Sequence, residues 1–279
     1  MSDLIVNFSV LALVGGFAGY TAGLFGIGGG AVMVPALFFA LRSLGVDDGV
    51  LMHCAVATSA AVIIVNGYRS VRSHLAKDSV DMTLLWPREN WLKSYGLWIG
   101  LGSFVAAVWI APRLSSDMLT VIFAVVAMVV SLQFIFGRPD FIIRNGVPGG
   151  AGPPVIGGFI GSLSAVMGIG GGSLSVPFLT LFGVPIHRAI GTASGFGLAI
   201  AIPATIGFII SGWGVAGRPF GSLGYVNGIG FALIVICAWP MVPLGAKSAH
   251  KLKPGPMRKI FGFGLILISL NMARIALFT

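Results

Sequence analysis

The chain alternates between long uninterrupted apolar runs and short polar stretches. Ten runs stand out: Leu4–Leu24, Ala31–Leu44, Val50–Tyr68, Leu92–Ile110 and Met118–Phe136, then Pro154–Met167, Leu174–Val184, Ala189–Ile210, Tyr225–Ala246 and Met257–Phe278. The runs are continuous and lack the period-two alternation of membrane β-barrel strands. A helix of about 20 apolar residues spans a bilayer core. The pattern therefore predicts an all-α polytopic membrane protein with five helical segments in each half.

In each half the second run is short and follows a glycine-rich break. GLFGIGGGAVMVP (Gly23–Pro35) and AVMGIGGGSLSVP (Ala165–Pro177) are near-copies. Gly26 matches Gly168 and Pro35 matches Pro177 at an offset of 142, and the stretch His53–Thr58 matches His187–Thr192 at an offset of 134. Arg113, Leu114 and Phe123 match Lys251, Leu252 and Phe261 at an offset of 138. The likeness predicts one duplicated unit: a first transmembrane repeat at 1–137, a cytoplasmic linker at 138–153 and a second repeat at 154–279.

The distribution of charge orients the two units. After the third run, repeat one carries Arg69, Arg72, Lys77, Arg88 and Lys93, whereas the matching stretch Ser211–Gly224 carries only Arg218. At the next loop the bias reverses: Arg113 stands alone against Lys247, Lys251, Lys253, Arg258 and Lys259. By the positive-inside rule the repeats face opposite ways, with both termini outside and the linker inside. The inversion requires an odd number of crossings, met by five spans or by three spans plus a re-entrant hairpin. Ala31–Leu44 and Leu174–Val184 would make helices of only about 21 and 17 Å, short of a core of about 30 Å. The favoured picture is a broken or re-entrant hairpin at each GIGGG, entering from opposite faces and meeting near the middle.

A helix restarting after consecutive glycines presents unpaired N–H groups at the positive end of its dipole, where anions bind without a charged side chain. Small residues also serve close helix packing, but consecutive glycines weaken a helix, and here they recur at matched positions. Gly28, Gly29, Gly30, Gly170, Gly171 and Gly172 are therefore the candidate binding residues, with His53, Thr58, His187 and Thr192 as matched polar positions further on. Pro35 and Pro177 read equally as tolerated kinks or as gating elements.

Composition narrows the function. The chain is 56% hydrophobic and 9% charged, with mean hydropathy +0.99, so its net charge of +9 reflects membrane topology rather than nucleic-acid binding. Cys54 and Cys237 do not make a disulfide framework. The N-terminal run has no basic residue before it and reads as a retained helix rather than a signal peptide. All eight acidic residues fall in loops or at the terminus, which disfavours a cation pump with a buried carboxylate relay. If protons are coupled, His53 and His187 are the titrating groups by elimination. Arg188 stands opposite Cys54 and reads as a snorkelling cytoplasmic arginine or as an anion attractor. Asn227 reads as a helix contact or a substrate contact. An intramembrane enzyme would need a nucleophile and base or a metal cluster; the sequence has no HExxH, no CxxC and no paired carboxylates within an apolar run. No cofactor or metal is expected, and the oligomeric state is left open.

The doubled GIGGG-x4-P string, HRAIGTAS, SLGYVN and the basic loop before FGFGLILISLNM together resemble the TauE/SafE family of sulfite exporters over nearly the whole chain. That resemblance implies a multi-pass secondary transporter in a prokaryotic plasma membrane, acting on small sulfur-containing anions such as sulfite, sulfoacetate or other organosulfonates. The expected partners are such an anion and the lipid bilayer. Alternating access around a midplane site is the leading expectation. An anion channel, or a carrier of another small organic anion, is the alternative. The family motifs fall on Gly26–Pro35, Gly168–Pro177 and the two His-to-Thr stretches.

Overall fold

The computed structural model describes residues 2–25, 29–87, 90–137, 142–249 and 254–278. Helix α1 (Ser2–Phe25) is followed by α2 (Gly30–Ser43), α3 (Asp48–Leu75), the single turn α4 (Met82–Leu85), α5 (Tyr95–Val105) and α6 (Ser116–Phe136). The second half holds α7 (Gly158–Met167), α8 (Gly172–Leu181), α9 (Ile186–Ser211), α10 (Gly228–Ala249) and α11 (Pro254–Phe278). Helix α5 runs on through π-helical Ala106–Ile110 and a 3-10 turn at Ala111–Arg113, and π-helical Pro153–Gly157 leads into α7. Among the described residues six helices are long and apolar enough to cross a membrane. The chain is a helical polytopic membrane protein.

Helices α3 and α9 are the most enclosed spans. They cross antiparallel: Gly67 lies against Leu198, and the Ser70 and Ser194 hydroxyls are 2.9 Å apart. Around them α6 and α11 also run antiparallel, joined where Ser269 Oγ donates to the Ala124 carbonyl at 2.6 Å. Two pairs run parallel instead: α1 lies along α10, and α5 lies along α7, where Gly157 and Gly161 meet Trp98 and Ile99.

The α1–α10 contact has its own sequence signal, the spacing Gly15, Gly19, Gly23. Without side chains on that stripe the two backbones approach closely, the usual route to helix association in lipid. A Cβ at Gly19 would sit 2.5 Å from the Ala238 carbonyl oxygen, whereas at Gly16 the nearest neighbour would be Met241 Cγ at 3.9 Å. Gly19→Val is expected to destabilise by about 1–3 kcal/mol through overpacking. Thermal unfolding of purified protein should show a lowered midpoint for Gly19→Val and an unchanged one for Gly16→Ala.

Three of the acidic residues sit at helix starts. Asp47 accepts the Gly49 N–H at 2.7 Å to start α3, Asp81 accepts the Thr83 N–H at 3.0 Å to start α4, and Asp117 sits in the first turn of α6. There a carboxylate meets orphan N–H groups and the positive end of the dipole.

Two boundaries differ from the apolar pattern. Residues 69–75, beyond the third apolar run, continue α3 to Leu75. Arg69 stacks its guanidinium 4.0 Å over the Trp239 ring, so its charge is accommodated on a helix rather than ending one. The ninth run begins as helix only at Gly228: Ser222–Leu223 and Val226–Asn227 form a small antiparallel hairpin first, turned by Gly224 at φ 57.

The basic residues after α3 lie at the same end of the bundle as the end of α10. Lys77 Nζ donates to the Ala246 carbonyl at 3.3 Å. Partial burial and the nearby Lys247 hold its ammonium below the usual lysine range. The linker is pinned at that same end, with the Ile143 N–H donating to Leu181 at 2.9 Å and Tyr95 Oη to Pro148 at 2.7 Å.

Candidate functional site

The two glycine-rich breaks touch each other. Gly29, at φ 81, precedes α2, and Gly168, at φ 62, ends α7; both adopt the left-handed backbone that glycine takes without strain. A Cβ at Gly30 would lie 2.3 Å from the Gly168 carbonyl oxygen and 2.8 Å from Ile169 Cα, so the breaks are in main-chain contact. The central helices hold them there. On α3, Ser59 Oγ donates to the Gly168 carbonyl at 2.8 Å, Val56 lies under Gly168, and Ile63 lies beside Gly30. On α9, Phe196 and Gly197 back Gly171.

Each break also starts a helix. The α2 ladder begins where the Met33 N–H takes Gly29 O at 3.1 Å, and that of α8 where the Ser175 N–H takes Gly171 O at 2.8 Å. The N–H groups of Gly30 and Ala31, and of Gly172 and Ser173, precede those ladders, so the helices supply them no acceptor. Gly170, Gly171 and Gly172 are buried, as are Gly29 and Gly30. Gly28, with Gly26 and Ile27, lies outside the described residues.

The two tips differ chemically. Ser164, Ser173 and Ser175 have buried hydroxyls with no hydrogen-bond partner, and the same holds for both polar atoms of the Asn66 amide on α3. The positions in α2 that match Ser173 and Ser175 are Ala31 and Met33. A buried hydroxyl without a partner is costly, so the second break combines helix-start N–H groups with unmet hydroxyls. Nothing in the string alignment alone marked these serines as chemistry; their departure from Ala31 and Met33 was the available signal.

The matched His and Thr positions are not gathered at the tips. Thr58, fully buried, accepts the Asn227 N–H at 2.9 Å, and Thr192, also fully buried, accepts the Asp81 N–H at 2.8 Å. Each threonine clasps the loop that leads to a later span. In the register set by Ser70 and Ser194, the two lie some 14 residues apart along the α3–α9 pair, about 21 Å at the α-helical rise. They belong to opposite ends of the bundle. Arg188 pairs with Asp81 at 3.2 Å and strengthens the second clasp. Asn227 caps α10 through Oδ1, which accepts the Gly230 N–H at 2.8 Å.

The histidines part company. His53 is 4% exposed, stacks on Tyr225 with ring centroids 5.1 Å apart, and places Nε2 3.1 Å from the Ala111 carbonyl. A carbonyl only accepts, so Nε2 carries the proton and Nδ1, which has no partner, is the free position. His187, in the first turn of α9, is exposed. Both cysteines are free, Cys54 buried and Cys237 half-buried.

Broken helices meeting inside a bundle of hydrophobic spans are the build of a membrane transporter. The Sulfite exporter TauE/SafE family model matches residues 11–272, and the chain belongs to that family. It is 34% identical over 262 residues to a probable membrane transporter protein of Haemophilus influenzae, covering 93% of this chain and 96% of that one. It is 27% identical to the probable membrane transporter protein YunE of Bacillus subtilis, over 96% of this chain and 97% of that one. A probable membrane transporter protein of Methanocaldococcus jannaschii is likewise 27% identical, over 92% of this chain and 91% of that one. No solved structure matches the chain.

Proposed function

We propose that this membrane transporter carries sulfite or small organosulfonates outward across a prokaryotic plasma membrane, by alternating access around the paired glycine tips. The observation that carries the proposal is the main-chain contact between Gly30 and Gly168, together with the unpaired Ser173 and Ser175 hydroxyls in the first turn of α8. Helix-start N–H groups and hydroxyls suit an oxyanion that needs no counter-charge. The description of the family as sulfite exporters supports the substrate class and the direction.

In this reading residues 1–137 and 154–279 are inverted repeats joined by the 138–153 linker, and each GIGGG string forms a hairpin that enters from its own face. The parallel pairs α1–α10 and α5–α7, which exchange under the repeat correspondence, support it. The shared basic end at Lys77 and Lys247 supports an inside assignment for that end, with both termini outside. His53 Nδ1 is the position at which a coupled proton would be held. The threonines close the path at either end rather than holding the anion.

Counterflow of labelled sulfite in proteoliposomes tests the mechanism, because a carrier shows trans-stimulation and an open pore does not. Ser173→Ala and Ser175→Ala test the site. Each is expected to weaken sulfite binding about tenfold, the worth of one hydrogen bond to a charged group at the low end. Each should leave the ligand-free thermal midpoint unchanged or raised, since an unpaired buried hydroxyl is removed. Undiminished sulfite affinity in the double variant would sink the assignment.

A further inference from the structure

The loop between α9 and α10 borders a half-open cavity of about 330 Å³ that the glycine tips do not use. On the liquid volume of about 30 Å³ per water, it has room for a ligand much larger than sulfite. Its walls are Leu37 and Leu41 of α2 and Leu233 of α10, with Arg218 and Asn227 at the loop end. Leu37 is seven residues beyond Gly30, about 10 Å along the helix, so the cavity is a separate chamber at the end of the bundle that holds Tyr225.

Among the described residues Arg218 is the one charged side chain that lines it. Nε donates to the Val215 carbonyl, and Nη1 donates to the Gly224 carbonyl at 3.2 Å, which fixes the guanidinium plane. Of its five N–H donors three are left over. Among the described residues the ion pairs are Arg42 with Asp48 and Arg188 with Asp81, and Arg218 is in neither. Asp47, in the connection between α2 and α3, lies against Gly217 of the loop, and its Oδ1 is engaged as the cap of α3. Asn227 has its carbonyl engaged by Gly230 and its amide by Phe220 and Ser222, so the head of any ligand falls to Arg218. A held guanidinium with spare donors, facing leucine walls, selects an anionic head on an apolar body.

We infer that this cavity is a second binding site, for an amphiphilic monoanion whose head pairs with Arg218 and whose hydrocarbon body lies against Leu37, Leu41 and Leu233. The same chemistry occurs in a free organic anion and in an anionic lipid, and the two are separable. The probes are butane-1-sulfonate and methanesulfonate, titrated calorimetrically into protein in phosphatidylcholine nanodiscs. Wild type should prefer butanesulfonate at least tenfold. Arg218→Gln should lose that affinity at least tenfold, Arg218→Lys less, and Leu41→Trp, which fills the chamber, should abolish the preference. Sulfite binding should be the same in Arg218→Gln as in wild type, which separates this site from the glycine tips. If a lipid is the occupant, native mass spectrometry from phosphatidylglycerol nanodiscs should find that lipid retained by wild type and lost from Arg218→Gln, and this too supports the site. Absence of both signals in wild type, or equal signals in Arg218→Gln, overturns it.

Discussion

Gly30→Val is expected to insert and fold but to carry no sulfite above background in proteoliposomes. The cause is the main-chain contact at the tips: a Cβ at Gly30 would lie 2.3 Å from the Gly168 carbonyl oxygen, closer than real Cβ atoms come, and the obstacle is backbone that cannot rotate away. Ile63 Cδ1 at 3.1 Å blocks the other side. The variant must therefore separate the tips, which moves the first-turn N–H groups of α2 away from those of α8. A site that works by preorganised donors tolerates displacements well under an ångström poorly. Gly29→Val is a weaker test, because at φ 81 a side chain is strained whatever its surroundings. Gly197→Ala is the control: its nearest neighbour is the Gly171 nitrogen at 3.8 Å, so the backing helix is left as it is. Uptake by Gly30→Val at the wild-type rate would show that the tips are not on the path.

The helical class and the ten segments were legible because lipid imposes a simple rule: a span must be apolar throughout and must satisfy its backbone internally. Each apolar run is a helix in the fold, and the misjudged limits have local causes. At Arg69 hydropathy falls although the helix goes on, since the neighbouring Trp239 ring supplies a partner that no local window contains. At Tyr225 hydropathy rises before the helix begins, because Gly224 turns a hairpin and Asn227 is the cap. The glycine strings announced a break, and spacing alone could not place Gly30 against Gly168, 138 residues away in the chain.

The polar positions were harder for another reason. Thr58 and Thr192 stood out by their repetition, yet their partners are main-chain N–H groups at Asn227 and Asp81, which leave no side-chain signature. His53 and His187 occupy matching places in the two strings. What separates them is the packing of Ala111 and Tyr225 around the first. Ser173 and Ser175 carry the reverse lesson, for the chemistry at the second tip lies where the two copies disagree.

The two threonine clasps lead to the second large effect, and its sign depends on the end of the bundle. Thr58→Val keeps shape and removes the acceptor of the Asn227 N–H; Thr192→Val does the same to the Asp81 N–H. An orphaned buried donor costs about 1–3 kcal/mol. In an alternating-access cycle that cost is relieved in the state where the loop has swung away, so each variant shifts the population toward opening at its own end. A shift of that size is about a 5- to 150-fold change in the ratio of states. Cys54 reports on it directly. It is fully buried and lies one helical turn before Thr58. In a Cys237→Ala background, Thr58→Val should raise the rate of maleimide labelling at Cys54 by up to that factor. Thr192→Val, which favours opening at the far end, should leave the rate at or below that of the parent. Equal acceleration by both threonine variants would mean that they loosen the bundle as a whole, and the two-ended clasp would have to be abandoned.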